Sequence, residues 1–459
     1  MKEYDVIIIG SGSGASLIED ALSHNMTVAL VDKGPAGGTC LNVGCIPTKM
    51  IVYPADRIME IREANKLGIT AEIKDISFST IMERMQNNVK KTHDRIQKGL
   101  GEAEDFDFYS GEARFISDYT LEVNDKQLKG KTFFIVSGAR PLIPRIQGIE
   151  NIEYLTNESA LQLTERPESM VIIGGGYIAV EFAHFFEAMG TKVTIVQRQD
   201  RLVTDEEPEI SALLLKSLSR RMTIRTNTEA IGIRQTGRIT TLVVKEQDSG
   251  KQSEITAQHV LIAAGRTSNA DILQVNNTGI KTDEKGYITV DEFFETSKKG
   301  IWAFGDAIGK KMFRHAANHE AELVWHNAVH GKKSRMNFLT VPHAVFTWPE
   351  IASVGLTEEQ AVKIMGKDQV LVGKAMFSEV ARGEAMMEHE GFTKAVVHRK
   401  TGKILGYHII GPQSSILIQE IVNAMAVDNN IWSVAQGLHI HPALSEVVLK
   451  AFGKLKVVE

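Results

Sequence analysis

The stretch DVIIIGSGSGA at residues 5–15 decides the fold, because a short apolar run leads directly into closely spaced glycines. Gly10, Gly12 and Ala15 occupy the positions of a G-x-G-x-x-G/A dinucleotide-binding loop. After a helical stretch, the run TVALVD predicts a second strand that ends in Asp32, about 20 residues beyond the loop. Glycines let the backbone approach a pyrophosphate at a helix N-terminus, and a carboxylate can bind ribose hydroxyls. The sequence therefore predicts a Rossmann-like βαβ unit.

A second stretch with the same outline, MVIIGGGYIA, follows at residues 170–179. Gly174 and Gly176 take the loop positions, and the next strand, KVTIV, leads to Gln197 and Arg198 instead of an acid. An arginine here can bind the 2′-phosphate of NADP, whereas an NAD site places a carboxylate at this point. The pair favours NADPH over NADH, and the alternative is that Arg198 is a solvated surface arginine.

The length and charge of the chain limit the number of domains and the kinds of partner that are expected. The chain has 459 residues, which predicts about three domains at roughly 150 residues each. Fifty-two Lys and Arg against 57 Asp and Glu leave a net charge of −5, so nucleic acid is not an expected partner. The sequence contains no run of about 18 apolar residues, and we expect a cytoplasmic protein with no membrane partner.

The two cysteines of the chain, Cys40 and Cys45, both lie in GGTCLNVGCIPTK at residues 37–49. Residues five apart on an ideal helix are separated by about 7.5 Å of rise, beyond the usual Cα span of a disulfide of about 6.8 Å. The two sulfurs can bond only if the intervening backbone is irregular, which Gly44 allows, and Pro47 suits the first turn of a helix starting near Cys45. A helix N-terminus lowers the pKa of a thiol. A redox pair is the favoured interpretation, and two inert buried cysteines are the alternative.

This cysteine segment resembles the redox-active disulfide segment of the FAD-dependent class I pyridine nucleotide-disulfide oxidoreductases. The family includes dihydrolipoyl dehydrogenase and mycothione reductase. The resemblance spans nearly the whole chain, because four further segments are similar to family motifs: GIWAFGDA, LIAAGRTSN, VFTWPEIASVG and LHIHPALSEVV. It implies bound FAD, NAD(P)(H) as the second cofactor, and a homodimer as the active unit.

The resemblance implies an α/β fold with two Rossmann-like dinucleotide-binding domains and a C-terminal α+β dimerisation domain. Residues 1–148 and 266–335 are expected to form the FAD-binding domain, 149–265 the NAD(P)-binding domain, and 340–459 the dimerisation domain. The two prolines of SGARPLIPRIQG independently mark the exit from the first domain.

The resemblance also assigns roles to residues at matching positions. It implies that Cys45 faces the flavin, that Cys40 exchanges with the substrate disulfide, and that Lys49 lies beside the flavin N5 and pairs with Glu181. Tyr177 matches an aromatic residue that shields the flavin, although a packing tyrosine is the alternative. The further residues implied in cofactor binding are Lys33, Thr39, Gly138, Gly265 and Asp306.

His441, oriented by Glu446, is implied as the acid-base catalyst, acting on the cysteines of the other subunit. Thiol-disulfide exchange needs a thiolate attacker and a protonated leaving thiol in turn, and an imidazole with an ordinary pKa near 6.5 serves both steps. His439 is the competing candidate, and the His-Pro pattern ending in Glu446 selects His441.

The reaction expected first is that of dihydrolipoyl dehydrogenase, the commonest member, which oxidises dihydrolipoamide with NAD(P)⁺. Its partner is a small disulfide or dithiol, or a lipoyl-bearing protein. An NADPH-dependent reductase of a low-molecular-weight disulfide, similar to mycothione reductase, is the alternative that Arg198 favours. A third possibility is a flavoprotein diaphorase or complex subunit with inert cysteines.

Overall fold

The computed structural model describes residues 1–458 as an α/β protein. Its α-helices are α1 (Ser16–Ser23), α2 (Gly38–Asn42), α3 (Cys45–Arg62), α4 (Phe78–Glu102), α5 (Asn157–Ala160), α6 (Tyr177–Ala188), α7 (Pro208–Ser219), α8 (Arg314–His330), α9 (Glu358–Met365), α10 (Ala381–Ala385), α11 (Ser414–Val427), α12 (Ile431–Ala435) and α13 (Glu446–Phe452). Its strands are β1 (Lys2–Ile9), β2 (Val28–Asp32), β3 (Asp107–Ser110), β4 (Ala113–Ser117), β5 (Thr120–Val123), β6 (Lys126–Ile135), β7 (Ala139–Pro141), β8 (Ser169–Ile173), β9 (Lys192–Val196), β10 (Thr223–Arg225), β11 (Thr228–Thr236), β12 (Ile239–Glu246), β13 (Gln252–Ala257), β14 (His259–Ile262), β15 (Arg266–Ser268), β16 (Ile301–Ala303), β17 (His343–Val345), β18 (Ile351–Gly355), β19 (Val370–Met376), β20 (Phe392–His398), β21 (Ile404–Ile410) and β22 (Lys456–Val457).

The chain forms two compact units. The first consists of Met1–Thr48, Glu83–Leu142 and Gly265–Phe338, and the second of Lys49–Met82, Ile143–Ala264 and the chain from Leu339 onward. Helices α3 and α4 contribute residues to both. No helix within residues 1–458 combines the length and apolar character that crossing a bilayer requires.

The first unit is built on a sheet with strand order β3-β2-β1-β6-β5-β4, in which β16 also pairs with β6. Strands β3, β2, β1, β6 and β16 run parallel, with Ile7 opposite Ala29 on β2 and Phe133 on β6. Central parallel strands are covered on both faces and therefore read as continuous apolar runs. The buried run from Val6 to Ile9 has this pattern.

The second unit contains three sheets. A parallel sheet of order β10-β9-β8-β14 carries the second glycine-rich loop, and a three-stranded antiparallel sheet of order β11-β12-β13 is inserted in the chain between β10 and β14. The third sheet has the order β17-β18-β21-β20-β19-β22 and pairs antiparallel throughout, with helices α11 and α13 packed against it. The fold class expected from the sequence, two Rossmann-like units and a C-terminal α+β part, is confirmed.

The two glycine-rich loops repeat one steric feature. Gly10, after β1, has φ +110°, and a Cβ there would lie 2.2 Å from the carbonyl oxygen of Val136. Gly174, after β8, has φ +121°, and a Cβ there would lie 2.2 Å from the carbonyl oxygen of Ala263. Only glycine fits where the chain leaves a strand so close to the next strand's backbone.

Candidate active site

The first glycine-rich loop is held by Asp32 at the end of β2. One carboxylate oxygen of Asp32 accepts a hydrogen bond of 2.6 Å from the backbone N–H of Ser11, and the other accepts one of 2.9 Å from the N–H of Gly34. The backbones of Gly12 and Gly38 lie so close together that a Cβ on Gly38 would be 2.6 Å from the Cα of Gly12. The loop is therefore a rigid backbone cradle beside a carboxylate, as a dinucleotide site requires.

Several buried polar atoms near this sheet lack a partner among the described residues. They are the hydroxyl of Ser137, Nε of Arg266 and Oε1 of Glu320. Asp306 lies 3.1 Å from the guanidinium of Arg266, and burial raises the pKa of its carboxyl. Burial also raises the pKa of Glu320 to about 7, although its other oxygen accepts a 2.6 Å hydrogen bond from the N–H of Gly305. Because buried polar atoms are almost always hydrogen-bonded, this set fits a polar ligand that the chain does not supply.

The backbone between Cys40 and Cys45 is irregular, as a disulfide between these two residues requires. Helix α2 ends at Asn42, and α3 begins at Cys45 after two intervening residues. A Cβ on Gly44 would lie 2.9 Å from the carbonyl oxygen of Thr39, so this connection tolerates glycine best. Cys45 is exposed at the head of α3 and Cys40 is half-buried. The prediction of a break before a helix at Cys45 is confirmed.

The side chains of Cys40 and Cys45 are hydrogen-bonded to each other, and both sulfurs are in the thiol form. Their mutual hydrogen bond raises the pKa of Cys40, and burial and the charge of Cys45 raise it further, whereas Arg314 lowers it. Cys40 therefore holds its proton near neutral pH in the dithiol form. A thiol must be a thiolate to attack a disulfide, so a base is required if Cys40 is to do so.

Lys49 follows Cys45 by one turn of α3 and forms an ion pair with Glu181 of α6. Its ammonium lies 2.6 Å from Glu181 and 4.5 Å from the ring centroid of Phe346. The backbone N–H of Phe346 donates a hydrogen bond of 3.0 Å to the other oxygen of Glu181. Because the side chain of Glu181 is only 5% exposed, the pair fixes where the ammonium lies.

His441 and Glu446 form a second pair. Nδ1 of His441 lies 2.9 Å from Glu446, whose other oxygen accepts a 3.0 Å hydrogen bond from the N–H of Ala443. The carboxylate orients the ring with Nδ1–H toward it and leaves Nε2 with its lone pair. The side chain of His441 is 72% exposed, whereas that of His439, 2.7 Å from Glu420, is 10% exposed. Of the two candidates, His441 is the one with an accessible ring.

The second glycine-rich loop leads from β8 into α6. Gly176 caps α6, and Tyr177 is its first residue and half-buried. After β9, the side-chain amide of Gln197 donates to the carbonyl oxygen of Arg201 at 3.1 Å. Arg198 is exposed, and positions 197–199 carry no carboxylate.

The remaining sequence-predicted residues lie on the connections around the first sheet. Lys33 is exposed after β2, Thr39 is half-buried in α2, and Gly138 and Gly265 have φ of +69° and +129° in the segments before β7 and β15. Two residues near the site were not predicted from the sequence: Arg314, whose charge lowers the pKa of Cys40, and Glu320, whose buried Oε1 has no partner among the described residues. Both lie on α8, far along the chain, and neither has a motif of its own.

These features define a class of protein: two dinucleotide-binding folds, a vicinal thiol pair at a helix start, and a carboxylate-paired histidine in a C-terminal domain. Residues 4–328 match the family model "Pyridine nucleotide-disulphide oxidoreductase", and residues 341–452 match the model of that family's dimerisation domain.

The chain is 36% identical to mycothione reductase of Mycobacterium tuberculosis over 463 residues, which covers 98% of this chain and 99% of the relative. It is 33% identical to dihydrolipoyl dehydrogenase of Geobacillus stearothermophilus over 456 residues, covering 98% and 95%. The structure of the HOCl-induced flavoprotein disulfide reductase RclA from Escherichia coli superposes with a TM-score of 0.85 at 27% identity, covering 98% of this chain and 99% of that one.

The chain therefore belongs to the pyridine nucleotide-disulfide oxidoreductase family, enzymes that act on sulfur groups and depend on FAD and NAD(P). The resemblance stated from the cysteine segment is confirmed. The cradle at Gly12 and the unpartnered polar atoms of Ser137, Arg266 and Glu320 fit FAD, because its phosphates and hydroxyls need such donors and acceptors.

Proposed function

We propose that this enzyme uses Cys40 and Cys45 as a redox-active disulfide to reduce a low-molecular-weight disulfide with NADPH. The contact between the two side chains at the start of α3 carries the proposal. When bound, FAD supplies the passage of two electrons from the nicotinamide to the disulfide. The hydride equivalent leaves one cysteine as a thiol and the other as a thiolate.

The substrate is then reduced in two exchange steps. His441 of the second subunit takes the proton of Cys40, whose thiolate attacks one sulfur of R–S–S–R, and the same imidazolium protonates the leaving RS⁻. The Cys45 thiolate next attacks the Cys40 sulfur of the mixed disulfide, re-forms the Cys40–Cys45 bond and releases the second RS⁻, which takes a proton from water. The sum is NADPH, H⁺ and R–S–S–R giving NADP⁺ and two R–SH.

The raised pKa of Cys40 supports a base in this scheme, because the exchanging sulfur otherwise stays protonated near neutral pH. The hydrogen bond from His441 to Glu446 supports the choice of base, since it fixes the tautomer that can accept a proton at Nε2. Lys49, held by Glu181, lies one helical turn after Cys45 in α3, which supports a positive charge on the same face of the helix as the proposed thiolate.

NADPH as the coenzyme is supported by the exposed Arg198 after β9, where no carboxylate would repel a 2′-phosphate. Gly174, Gly176 and Tyr177 are proposed to line the nicotinamide nucleotide. Gly10, Gly12, Ala15, Asp32, Lys33, Thr39, Gly138, Gly265 and Asp306 are proposed to bind FAD.

A homodimer is the proposed active unit, with residues 1–148 and 266–335 as the FAD-binding domain, 149–265 as the NAD(P)-binding domain and 340–459 as the dimerisation domain. The match of residues 341–452 to a dimerisation domain supports it. The cytoplasm is the proposed compartment, because disulfides in a reducing environment are transient and catalytic, as the proposed Cys40–Cys45 bond is.

Dihydrolipoyl dehydrogenase activity is the second candidate, favoured by the 33% identity to such an enzyme over 98% of this chain. It would run the same exchange chemistry in reverse, from a dithiol to NAD⁺, and its dithiol could be carried on a lipoyl-bearing protein. A panel of dihydrolipoamide, glutathione disulfide, bis-cysteinyl disulfides and coenzyme A disulfide, each with both nicotinamides, separates the two candidates.

The test of the redox pair is anaerobic titration of the FAD-loaded enzyme with NADPH, followed by turnover with the best disulfide of the panel. Cys45→Ser is expected to abolish the long-wavelength thiolate-flavin absorption and turnover. Cys40→Ser is expected to keep the absorption and lose turnover. If Cys45→Ser retained full disulfide turnover, the assignment of Cys40 and Cys45 as the redox pair would fail.

A further inference from the structure

Three histidines of the first unit, one just after helix α1 and two on helix α8, lie close together at its surface, outside the site described above. His24 directly follows α1, and His326 and His330 lie one turn apart on α8, which packs against α1. Nε2 of His24 lies 3.1 Å from Nε2 of His330, and Nδ1 of His330 lies 2.9 Å from Nδ1 of His326. His24 and His330 are exposed. More than 300 residues of sequence separate His24 from the other two.

The hydrogen bonds around this cluster fix which nitrogens carry protons. Nδ1 of His24 lies 2.8 Å from the carbonyl oxygen of Asp20, which can only accept, so Nδ1 is the protonated nitrogen and Nε2 has the lone pair. A neutral imidazole nitrogen with an available lone pair, as Nε2 of His24 has in this tautomer, is the form that binds metals.

The geometry of the two Nε2 atoms suits a common metal ion. A divalent ion bonded to both at about 2.0–2.1 Å would subtend about 95–102° for a separation of 3.1 Å. This lies between the cis angle of a square-planar site, about 90°, and the tetrahedral angle, about 109°. For one ion to bind both nitrogens, each exposed ring turns so that its Nε2 lone pair points at the ion and no longer along the line that joins the two nitrogens.

The surroundings supply the outer hydrogen bonds that such ligands need. The carbonyl oxygen of Asp20 holds His24, and when Nε2 of His330 binds a metal its proton resides on Nδ1 and is donated to Nδ1 of His326. Each ligand then has its second nitrogen hydrogen-bonded, and no net proton is released. His326 is a positioning residue in this arrangement.

We propose that His24 and His330 form a two-histidine site for an imidazole-preferring divalent transition-metal ion such as Cu²⁺, Ni²⁺ or Zn²⁺. Among the described residues no group of three or more His, Cys, Asp or Glu side chains is placed to hold one metal ion, so the protein supplies two ligands here. The other coordination positions therefore belong to water or to an exchangeable ligand. The site is independent of the proposed disulfide chemistry.

Cu²⁺ is the probe for the test, because it binds nitrogen ligands most tightly in the divalent series and gives a nitrogen-split electron paramagnetic resonance signal. The background is the full-length, FAD-loaded enzyme with Cys40→Ser and Cys45→Ser, so that thiolates neither bind nor reduce the ion. One Cu²⁺ per chain with two nitrogen donors is expected. Because His24 contacts the buried Trp325 edge-to-face at 5.6 Å, Cu²⁺ is also expected to quench the fluorescence of Trp325.

His24→Gln and His330→Gln are each expected to weaken Cu²⁺ binding at least tenfold and to reduce the nitrogen count. His319→Gln, an exposed histidine on the same helix, is the matched control and should leave both unchanged. His326→Leu should weaken binding about 10- to 100-fold through the loss of the outer hydrogen bond. His326→Asn, which keeps an acceptor at the δ position, should restore it.

Binding that survives in the double variant His24→Gln/His330→Gln overturns the proposal, as does a titration that finds no Cu²⁺ bound to the parent protein at micromolar concentration. Equal losses in the His319→Gln control also overturn it, because general surface binding would then explain the signal. Flavin absorbance and far-ultraviolet circular dichroism verify that each variant is folded.

Discussion

Replacing Glu446 with Gln tests whether the carboxylate positions His441 for catalysis. The carboxylate accepts one hydrogen bond from Nδ1 of His441 at 2.9 Å and another from the N–H of Ala443 at 3.0 Å. A glutamine has the same shape and a single acceptor oxygen. If that oxygen stays on Ala443, the amide N–H₂ faces Nδ1 and favours the tautomer with the proton on Nε2, which cannot act as a base.

The expected loss of rate in Glu446→Gln follows from the one hydrogen bond that the variant loses. The loss of a hydrogen bond to a charged group typically changes a rate by about 10- to 150-fold. The His441 side chain is 72% exposed, so solvent screening places the effect toward the lower end. We expect Glu446→Gln to slow the reaction of the reduced enzyme with disulfide by about 10- to 100-fold.

Rapid-mixing measurements of the two half-reactions make this prediction specific. The reduction of the enzyme by NADPH should be unchanged, because it does not require His441 to accept a proton. Glu420→Gln is the matched control, since Glu420 holds His439 at 2.7 Å in the same way but that ring is only 10% exposed. The reasoning is refuted if the disulfide half-reaction is equally fast in Glu446→Gln and the parent enzyme, or equally slow in Glu420→Gln.

Three further outcomes are expected. Arg198→Glu should move the ratio of kcat/KM for NADPH to that for NADH by about 10-fold or more toward NADH, since a charge-assisted contact to phosphate is lost, and an unchanged ratio would exclude Arg198 from the nucleotide site. Chains carrying Cys40→Ser mixed with chains carrying His441→Ala should regain partial activity in heterodimers, measured after verified subunit exchange; no recovery would contradict a shared site. Glu320, buried with a pKa raised to about 7 from an ordinary 4.5, makes the folded state bind a proton more tightly, so its contribution to stability is full below about pH 4.5 and is lost as pH rises toward 7. Thermal unfolding of the holoenzyme across this range should show Glu320→Gln removing up to about 3 kcal/mol of the decline, and parallel curves would rule out this carboxyl as its source.

The parts of the fold and site that could be predicted from sequence are those encoded by local sterics. Gly10 and Gly174 mark strand ends because a Cβ would collide with the neighbouring strand, and this requirement is visible as glycine after an apolar run. Gly44 and Pro47 similarly predicted the break in the chain before α3. Each of these features depends on residues a few positions apart.

The residues that were not predicted from the sequence are recognised only by contacts between distant segments of the chain. Arg314 lowers the pKa of Cys40 from a position about 270 residues further along the chain, and nothing in its own neighbourhood distinguishes it from a surface arginine. Glu320 is recognisable only because its buried Oε1 has no protein partner, an observation that requires the packed structure. The His24–His330 contact is invisible for the same reason.

Exposure distinguishes His441 from the other histidines that are paired with a carboxylate. In four histidines a ring nitrogen lies within 2.9 Å of a carboxylate oxygen: His184, His343, His439 and His441. Their side chains are 0%, 19%, 10% and 72% exposed. A carboxylate fixes the tautomer in each case, but a base for the thiol of another subunit must also be accessible from outside its own chain. Of these four, His441 alone combines a fixed tautomer with an open ring, which makes it the one that fits the proposed role of a base for the cysteines of the second subunit.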